Sequence, residues 1–598
     1  MRNFLFLPFF LFFSFAVQAA LNVPIPAHKP MTDTPLTSVK KREEEIKTRT
    51  APPPAASFQI SETEKPLNKK DAELYREIYR LQHVGKFNQA RTLISKIDNT
   101  ILMGHIHAQR LFHTKSNATD KDFRDWLDTY SDHPQSIKIA KKIKNKSAAS
   151  YKNRVTGTMG ELRYFANGSK YLSSKYSAQQ RRAVNNVRRE IRESLHRGSA
   201  TAALHYFNKH GVQRYIDPVD KSQILSSIAS VYLYLNHPEK ARMTALKALK
   251  ASKETPIPGW ILGLTAWINK DFKSATKYFT LASKAPYASP WMTSAASYWG
   301  ARSATRAKLF KEVSPLLATA VKYQRTFYGL IATKALGYGY DFNWTMPAYT
   351  PKMQNVLQQH PAGARAVALA EINQLTMAES ELFALPVKNN NALQEAALSL
   401  AQHYNLAGYS MRFSSIIPNP AGGFYDAGLF PISSWTKEQK NSDIPLLNAF
   451  IRQESRFIST AKNPTGATGL MQVMPETAAF ITEDSTYKTK AGRSQLQNPR
   501  INVNIGANYL KHLMSLEAVN NDLFGLAIAY NAGPGKLGRW KREIKERDPL
   551  LFIELIPSSE TRSFVERVAT NYWVYQMRSG NDPHTLTAIA SGDWPRLD

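Results

Sequence analysis

The chain has 598 residues, 43% of them hydrophobic, a formal net charge of +31 and no cysteine. Such a length exceeds what a single core organises and implies two or more domains. The missing cysteines exclude disulfides, a thiolate nucleophile, cysteine-bound zinc and a lipidated cysteine, while the charge points to an anionic partner, with nucleic acid the first suspect.

Residues 1–19 have the form of a secretory signal peptide. Arg2 supplies the positive start, Phe4 to Val17 is an apolar run too short to span a bilayer comfortably, and Val17-Gln18-Ala19 precedes a cut near Ala19/Ala20. A retained amino-terminal anchor is the alternative. No later window approaches the roughly 18 apolar residues of a membrane span, so the mature chain is expected to be soluble. Residues 20–66 contain PIPAHKPMTDTP, KKREEEIK and APPPAA, which read as a Pro-rich, charged, disordered tether.

Helical patterning begins next. GKFNQARTLISKI (Gly85 to Ile97), HPEKARMTALKAL (His237 to Leu249) and NKDFKSATKYFTLAS (Asn269 to Ser283) share a phase. Each has a turn, then an alanine at a close-packing position (Ala90, Ala241, Ala275). They resemble tetratricopeptide-type helix hairpins at irregular spacing, so residues 67–350 are expected to form an α-superhelical domain. An unrelated helical bundle is the alternative. Residues 351–425 stay helical and read as a linker domain. PNPAGGFYDAGLFPISSW (Pro418 to Trp435) interrupts the pattern and sets off a compact unit, 426–598. No run alternates as a strand would, so the fold class is all-α, with a short hairpin in the last domain. Residues 426–598 hold 20 Lys and Arg against 18 Asp and Glu, which leaves about +29 of the charge upstream.

In the last unit Asp443 can cap a helix and Pro445 fits its first turn. Leu447, Phe450, Ile451, Phe457 and Ile458 then mark one buried face, and Glu454 falls on it. A carboxyl that loses hydration holds its proton to higher pH, as a general acid must. Pairing with a buried arginine is the bland alternative. NPTGATGLMQ (Asn463 to Gln472) follows, a glycine turn that lets backbone approach a ligand, with the Gln472 amide suited to an acetamido or hydroxyl group. An ordinary connector would look the same. FGLAIAYNAGPGKLGRW (Phe524 to Trp540) reads as a packed helix that ends near Tyr530 and Asn531 before Gly533-Pro534-Gly535. Tyr530 there is a site residue or a core aromatic. ELIPSSETRSFVERVATNYWVYQM (Glu554 to Met577) opens a long helix with Glu560 in its first turn, where an acid also suits the helix dipole.

Glu454-Ser455, GLMQ at Gly469 to Gln472, AYNAGPG at Ala529 to Gly535 and SETRSFV at Ser559 to Val565 match, in order, the motifs of the soluble lytic murein transglycosylases of family 1. NPRINVNIGANYL (Asn498 to Leu510) is similar to that family's central helix. The resemblance covers about 430–576. It implies a goose-type lysozyme-like catalytic domain in 426–598 preceded by a superhelical ring. It also implies cleavage of the β-1,4 MurNAc–GlcNAc bond of peptidoglycan with a 1,6-anhydroMurNAc product. The catalytic acid carries over onto Glu454, and Ser455, Gln472, Met474, Tyr530, Asn531 and Glu560 onto the glycan groove.

A single carboxylate suffices if Glu454 protonates the glycosidic oxygen and then takes the proton of the muramyl 6-hydroxyl. A hydrolase on the same fold and a non-catalytic peptidoglycan-binding scaffold are the alternatives. No cofactor and no metal are expected: the histidines are scattered, H-E-x-x-H is absent, and GHIHAQ (Gly104 to Gln109) has no evident acid partner. The expected partner is the peptidoglycan glycan strand, approached by a periplasmic monomer in contact with the outer-membrane periphery or cell-wall machinery. Export, a near-neutral last unit and the lack of a recognised motif argue against nucleic acid.

Overall fold

The computed structural model describes residues 65–143, 173–420 and 422–597. The expected leader, 1–19, and residues 20–64 of the expected tether lie outside them. Among the described residues the fold is all-α, with helices following one another from Lys69–His83 to His584–Ser591. Extended pairing is confined to the isolated antiparallel bridges Lys462–Thr468, Thr468–Val473 and Asp522–Arg596. The hairpin expected in the last unit is thus reduced to two single bridges that share Thr468. No described helix is long and apolar enough to cross a membrane.

The upstream helices pair as antiparallel hairpins and build a superhelix. Ala90, Ala241 and Ala275 are all fully buried, each on the second helix of a hairpin (Phe87–Ile94, Pro238–Ala251 and Phe272–Ser283). Small residues set the spacing: a Cβ added to Gly263 would stand 2.6 Å from the Phe279 ring. One turn recurs between helices. Asn236, Lys270 and Lys308 take left-handed φ of 58°, 59° and 59°. The next N–H then returns to the preceding helix: His237 to the Tyr232 carbonyl at 2.8 Å, Asp271 to Ala266 at 2.9 Å, Leu309 to Ala304 at 2.8 Å. This is the Schellman closure, which satisfies carbonyls the helix end would otherwise leave open.

The chain packs on itself at two places. Tyr75 and Ile78 share a core with Val367, Leu369 and Leu398, and Arg76 donates to the Glu371 carbonyl at 2.9 Å. Farther along, helices between 178 and 335 share a core with the last unit. Phe327 stacks on Trp573 at 5.3 Å, and Arg302 donates to Asp548 at 2.5 Å. Arg325 grips both oxygens of buried Asp426 at 2.6 and 2.5 Å. The early superhelix therefore rests on residues 351–425 and the late superhelix on residues 426–597.

Candidate active site

The site is built on α1 (Ile444–Glu454), α2 (Pro475–Thr482), α3 (Pro499–Met514), α4 (Leu523–Ala532), α5 (Pro534–Ile544), α6 (Pro549–Leu555) and α7 (Ser559–Arg578). Asp443 caps α1 by accepting from the Leu446 N–H at 2.9 Å, with Pro445 in the first turn. Tyr572 of α7 donates to the same carboxylate at 2.7 Å, so the start of α1 is fixed against α7. Leu447, Phe450 and Ile451 are buried as their spacing predicts. The helix does not continue through Phe457 and Ile458. It stops at Glu454, and Arg456 and Phe457 turn left-handed at φ 51° and 63°.

Glu454 is therefore the last helical residue of α1. It keeps partial contact with solvent while protein surrounds it. Burial pushes its carboxyl up from the ordinary 4.5 to about 8, and the nearby Glu560 charge adds to the rise. The carbonyl end of α1 acts in the same direction, because a helix carboxy terminus disfavours an anion. Among the described residues no arginine pairs with Glu454. The adjacent Arg452 turns away, donating to the Leu429 carbonyl at 2.9 Å and to Asn571 at 2.6 Å over the Phe430 ring. Burial lowers Arg452 to about 10, so it stays cationic at neutral pH.

The glycine turn is held at both polar groups of Met471. Its N–H donates to Asn502 Oδ1 at 2.8 Å, and its carbonyl accepts from the Tyr530 hydroxyl at 2.7 Å. Asn502, fully buried on α3, also donates to the carbonyls of Thr468 at 2.8 Å and Leu496 at 2.9 Å. Gly469 takes φ +82°, and a Cβ there would lie 2.3 Å from Asn502 Nδ2. Gly506 of α3 makes room for Met471, whose sulfur would stand 2.3 Å from an added Cβ. Asn502 and Gly506 lie in the NPRINVNIGANYL stretch, but their bracing role escapes the sequence because an asparagine and a glycine inside a helix look like weak helix formers until the turn they brace is in view.

The expected groove residues fall into two groups. Tyr530, Met474 and Gln472 are half-buried near the turn, and Glu560 is exposed at the start of α7. Burial raises the Tyr530 hydroxyl well above its ordinary range, and the Glu454 charge adds to it, so Tyr530 and Glu560 both lie within Glu454's electrostatic reach. Gln472, at φ 47°, spends its amide N–H groups on the carbonyls of Ala461 at 3.1 Å and Gly469 at 2.9 Å. Its Oε1 is left to accept. Ser455 and Asn531 are committed to the protein. The Ser455 hydroxyl returns to the Ile451 carbonyl at 3.2 Å, and Asn531 Oδ1 accepts from Thr561 at 2.8 Å, tying the end of α4 to the start of α7.

Other acids of this unit are also held protonated to unusually high pH. Asp522 rises to about 6 through burial, but its two oxygens cap α4 by accepting from Phe524 at 3.1 Å and Gly525 at 2.9 Å. Glu554 and Glu566 rise through burial beside the superhelix, where Tyr328 donates to Glu554 at 2.6 Å. Glu454 differs in having no hydrogen bond from its side chain among the described residues together with partial contact with solvent. A concavity of about 980 Å³ lined by Ser199, His205, Tyr206, Lys209, Tyr232 and His237 lies on the superhelix, and none of those residues belongs to the motif set.

His105 of GHIHAQ does have an acid partner, distant in sequence: its Nε2 lies 2.7 Å from Glu381, with His133 at 3.7 Å. Arg365 occupies both Glu381 oxygens at 2.8 and 2.9 Å and reaches Asp132 at 2.8 Å. A guanidinium in that position repels a cation, so the cluster fits a buried ion-pair joint between the early helices and the linker helices.

Residues 431–553 match the family described as the transglycosylase SLT domain. Soluble lytic murein transglycosylase of Escherichia coli K12 is 31% identical over 281 residues, covering 46% of this chain and 42% of that protein. Its counterpart in Salmonella typhimurium LT2 is 32% identical over 285 residues with the same coverage. The alignment thus spans less than half the length of these relatives. In three dimensions the chain is similar to the crystal structure of the 70 kDa soluble lytic transglycosylase of Escherichia coli, with a TM-score of 0.56 and 16% identity over 88% of this chain and 99% of that one. It is also similar to an inactive mutant of the lytic transglycosylase Slt from Pseudomonas aeruginosa, with a TM-score of 0.52 and 19% identity over 92% and 90%. The chain thus carries a match to the transglycosylase SLT domain over 431–553 and shares the all-helical fold of these soluble lytic transglycosylases, in which a helical superhelix precedes a lysozyme-like domain.

Proposed function

We propose that the protein is an exported lytic transglycosylase that cleaves the β-1,4 MurNAc–GlcNAc bond of peptidoglycan and leaves 1,6-anhydroMurNAc ends. The observation that carries this reading is Glu454: a carboxyl at a helix end, without a partner among the described residues, raised to about 8, beside a braced turn. At neutral pH such a group is protonated and can donate. It gives its proton to the glycosidic oxygen as the bond to the anomeric carbon breaks. The muramyl acetamido group shares the positive charge that develops there. Glu454, now a carboxylate, takes the proton of the 6-hydroxyl as that oxygen closes on the anomeric carbon. Because the nucleophile belongs to the substrate, no water has to be recruited and oriented.

Gln472 Oε1 and Met474 line the wall beside the turn and are assigned to the sugar's polar and apolar faces. Tyr530 holds that wall through Met471, and Ser455 and Asn531 act by fixing their neighbours. Glu560 supplies negative charge opposite the developing cation. The leader and the basic superhelix suit a periplasmic protein acting on an anionic polymer. A hydrolase is the second reading, favoured by Glu560, because most glycosidases employ two carboxyl groups. The variant Glu454→Gln is expected to bind glycan strands and release no product. Release of muropeptides at the wild-type rate would remove Glu454 from the reaction.

A further inference from the structure

Aromatic rings lead outward from the candidate acid. Tyr530 lies 5.4 Å from Tyr509, Tyr509 stacks on His512 at 6.5 Å and 16°, and His512 meets Phe480 edge-on at 5.1 Å. Exposure increases along this line. Tyr530, Tyr509 and His512 are half-buried, and Phe480 is 61% exposed. The line runs between two elements already tied to the site. Phe480 is on α2, which begins directly after Met474, and Tyr509 and His512 are on α3, which carries Asn502.

A row of rings whose inner end feels the acid's charge and whose outer end faces water is a surface for a linear, partly apolar polymer. Pyranose rings present C–H faces that pack on aromatic faces, and their hydroxyls remain hydrated at the edges. An aromatic ring that is already ordered loses little entropy when it is covered. The adjoining carboxyl makes the polymer a glycan.

We propose that Phe480, supported by His512, forms an outer sugar-binding platform that engages the glycan strand beyond the units held at Glu454. The proposal rests on the reading of the site as a glycan-cleaving centre. It assigns Phe480 to retention of long strands and gives it no part in bond cleavage.

The test uses the full-length protein and peptide-free MurNAc–GlcNAc strands graded by length. For Phe480→Ala the expected result is a KM roughly three- to tenfold higher on long strands, the size of one aromatic contact. Its kcat, its melting temperature and its rate on the shortest cleavable strands should be unchanged, and Phe480→Trp should keep the wild-type KM. A KM independent of the substitution at every length would overturn the platform and leave Phe480 as a surface residue or a contact for another protein. An equal loss on short and long strands would overturn it as well. If the wild-type protein cleaves no strand, the functional reading fails together with the platform. Cleavage by the wild-type enzyme with no length-dependent effect of Phe480→Ala removes the platform alone.

Discussion

Glu454 combines the properties of a general acid in one side chain, and its protonation makes two predictions. In the proposed reaction the competent form carries the proton, so kcat/KM should fall as pH rises through about 8. A profile flat to pH 9.5 would contradict that. Stability depends on the same proton. The folded state binds it more tightly than the unfolded chain, whose carboxyl titrates near 4.5. This group's contribution to stability is therefore complete below about 4.5 and is lost progressively as pH rises to about 8. Glu454→Gln removes that loss and should stabilise the protein by on the order of 1 kcal/mol at neutral pH, discounted for the side chain's partial hydration. Thermal melts at pH 5 and pH 8 should show the gain only at the higher pH. A carboxyl among Phe450 and Ile451 is legible in the sequence as a candidate acid. The point where the helix stops is not, since Phe457 and Ile458 continue the apolar spacing while the backbone reverses at Arg456. Nor is the nearness of Glu560, which depends on how α7 meets α1.

Among the elements, the Gly469 to Gln472 turn is the one assigned to the wall of the proposed glycan site. Its glycines and its Gln472 can be read from the sequence, because tight turns demand glycine. Its supports cannot, because Asn502, Gly506 and Tyr530 come from two other helices. Gly469→Ala should cost about 2 kcal/mol or more, combining a left-handed backbone with a collision against Asn502. Tyr530→Phe removes one hydrogen bond to a buried carbonyl and should cost about 1 kcal/mol, with a larger drop in kcat as the wall loosens. Urea titrations and steady-state kinetics on the two variants check both statements. If Tyr530→Phe changes neither, the turn is held without it. The superhelical turns show the limit of pattern reading in another way. The buried alanines announce the hairpins, but Lys270 and Lys308 occupy left-handed positions where asparagine or glycine would be expected. Lys270→Gly should therefore raise stability by roughly 0.5–1 kcal/mol.

Over the whole molecule, the division of labour follows charge and packing. About +29 of the net charge lies upstream of residue 426, and the last unit is close to neutral. That asymmetry is visible in the composition. The way the superhelix is fastened is not. Its early helices rest on the linker helices through Arg365, Glu381 and His105, and its late helices rest on α6 and α7 through Arg302, Phe327 and Tyr328. The pairs that cross these joints, His105–Glu381, Asp132–Arg365, Arg302–Asp548, Phe327–Trp573 and Tyr328–Glu554, are each separated by more than 200 residues in the chain, and local patterns carry no information about them. A basic superhelix fastened to α6 and α7 is expected to hold an anionic strand for the last unit. Binding of full-length Glu454→Gln protein to intact sacculi should weaken steadily between low salt and 0.5 M salt. Salt-independent binding would assign retention to the groove alone. The central claim is that Glu454 serves first as acid and then as base for the substrate's own 6-hydroxyl. The mass of the new ends formed on purified peptidoglycan by the full-length protein tests it most directly. The account predicts MurNAc ends lighter by one water than a hydrolytic product, and none with Glu454→Gln. Ends that have gained a water, or undiminished release by the variant, would contradict it.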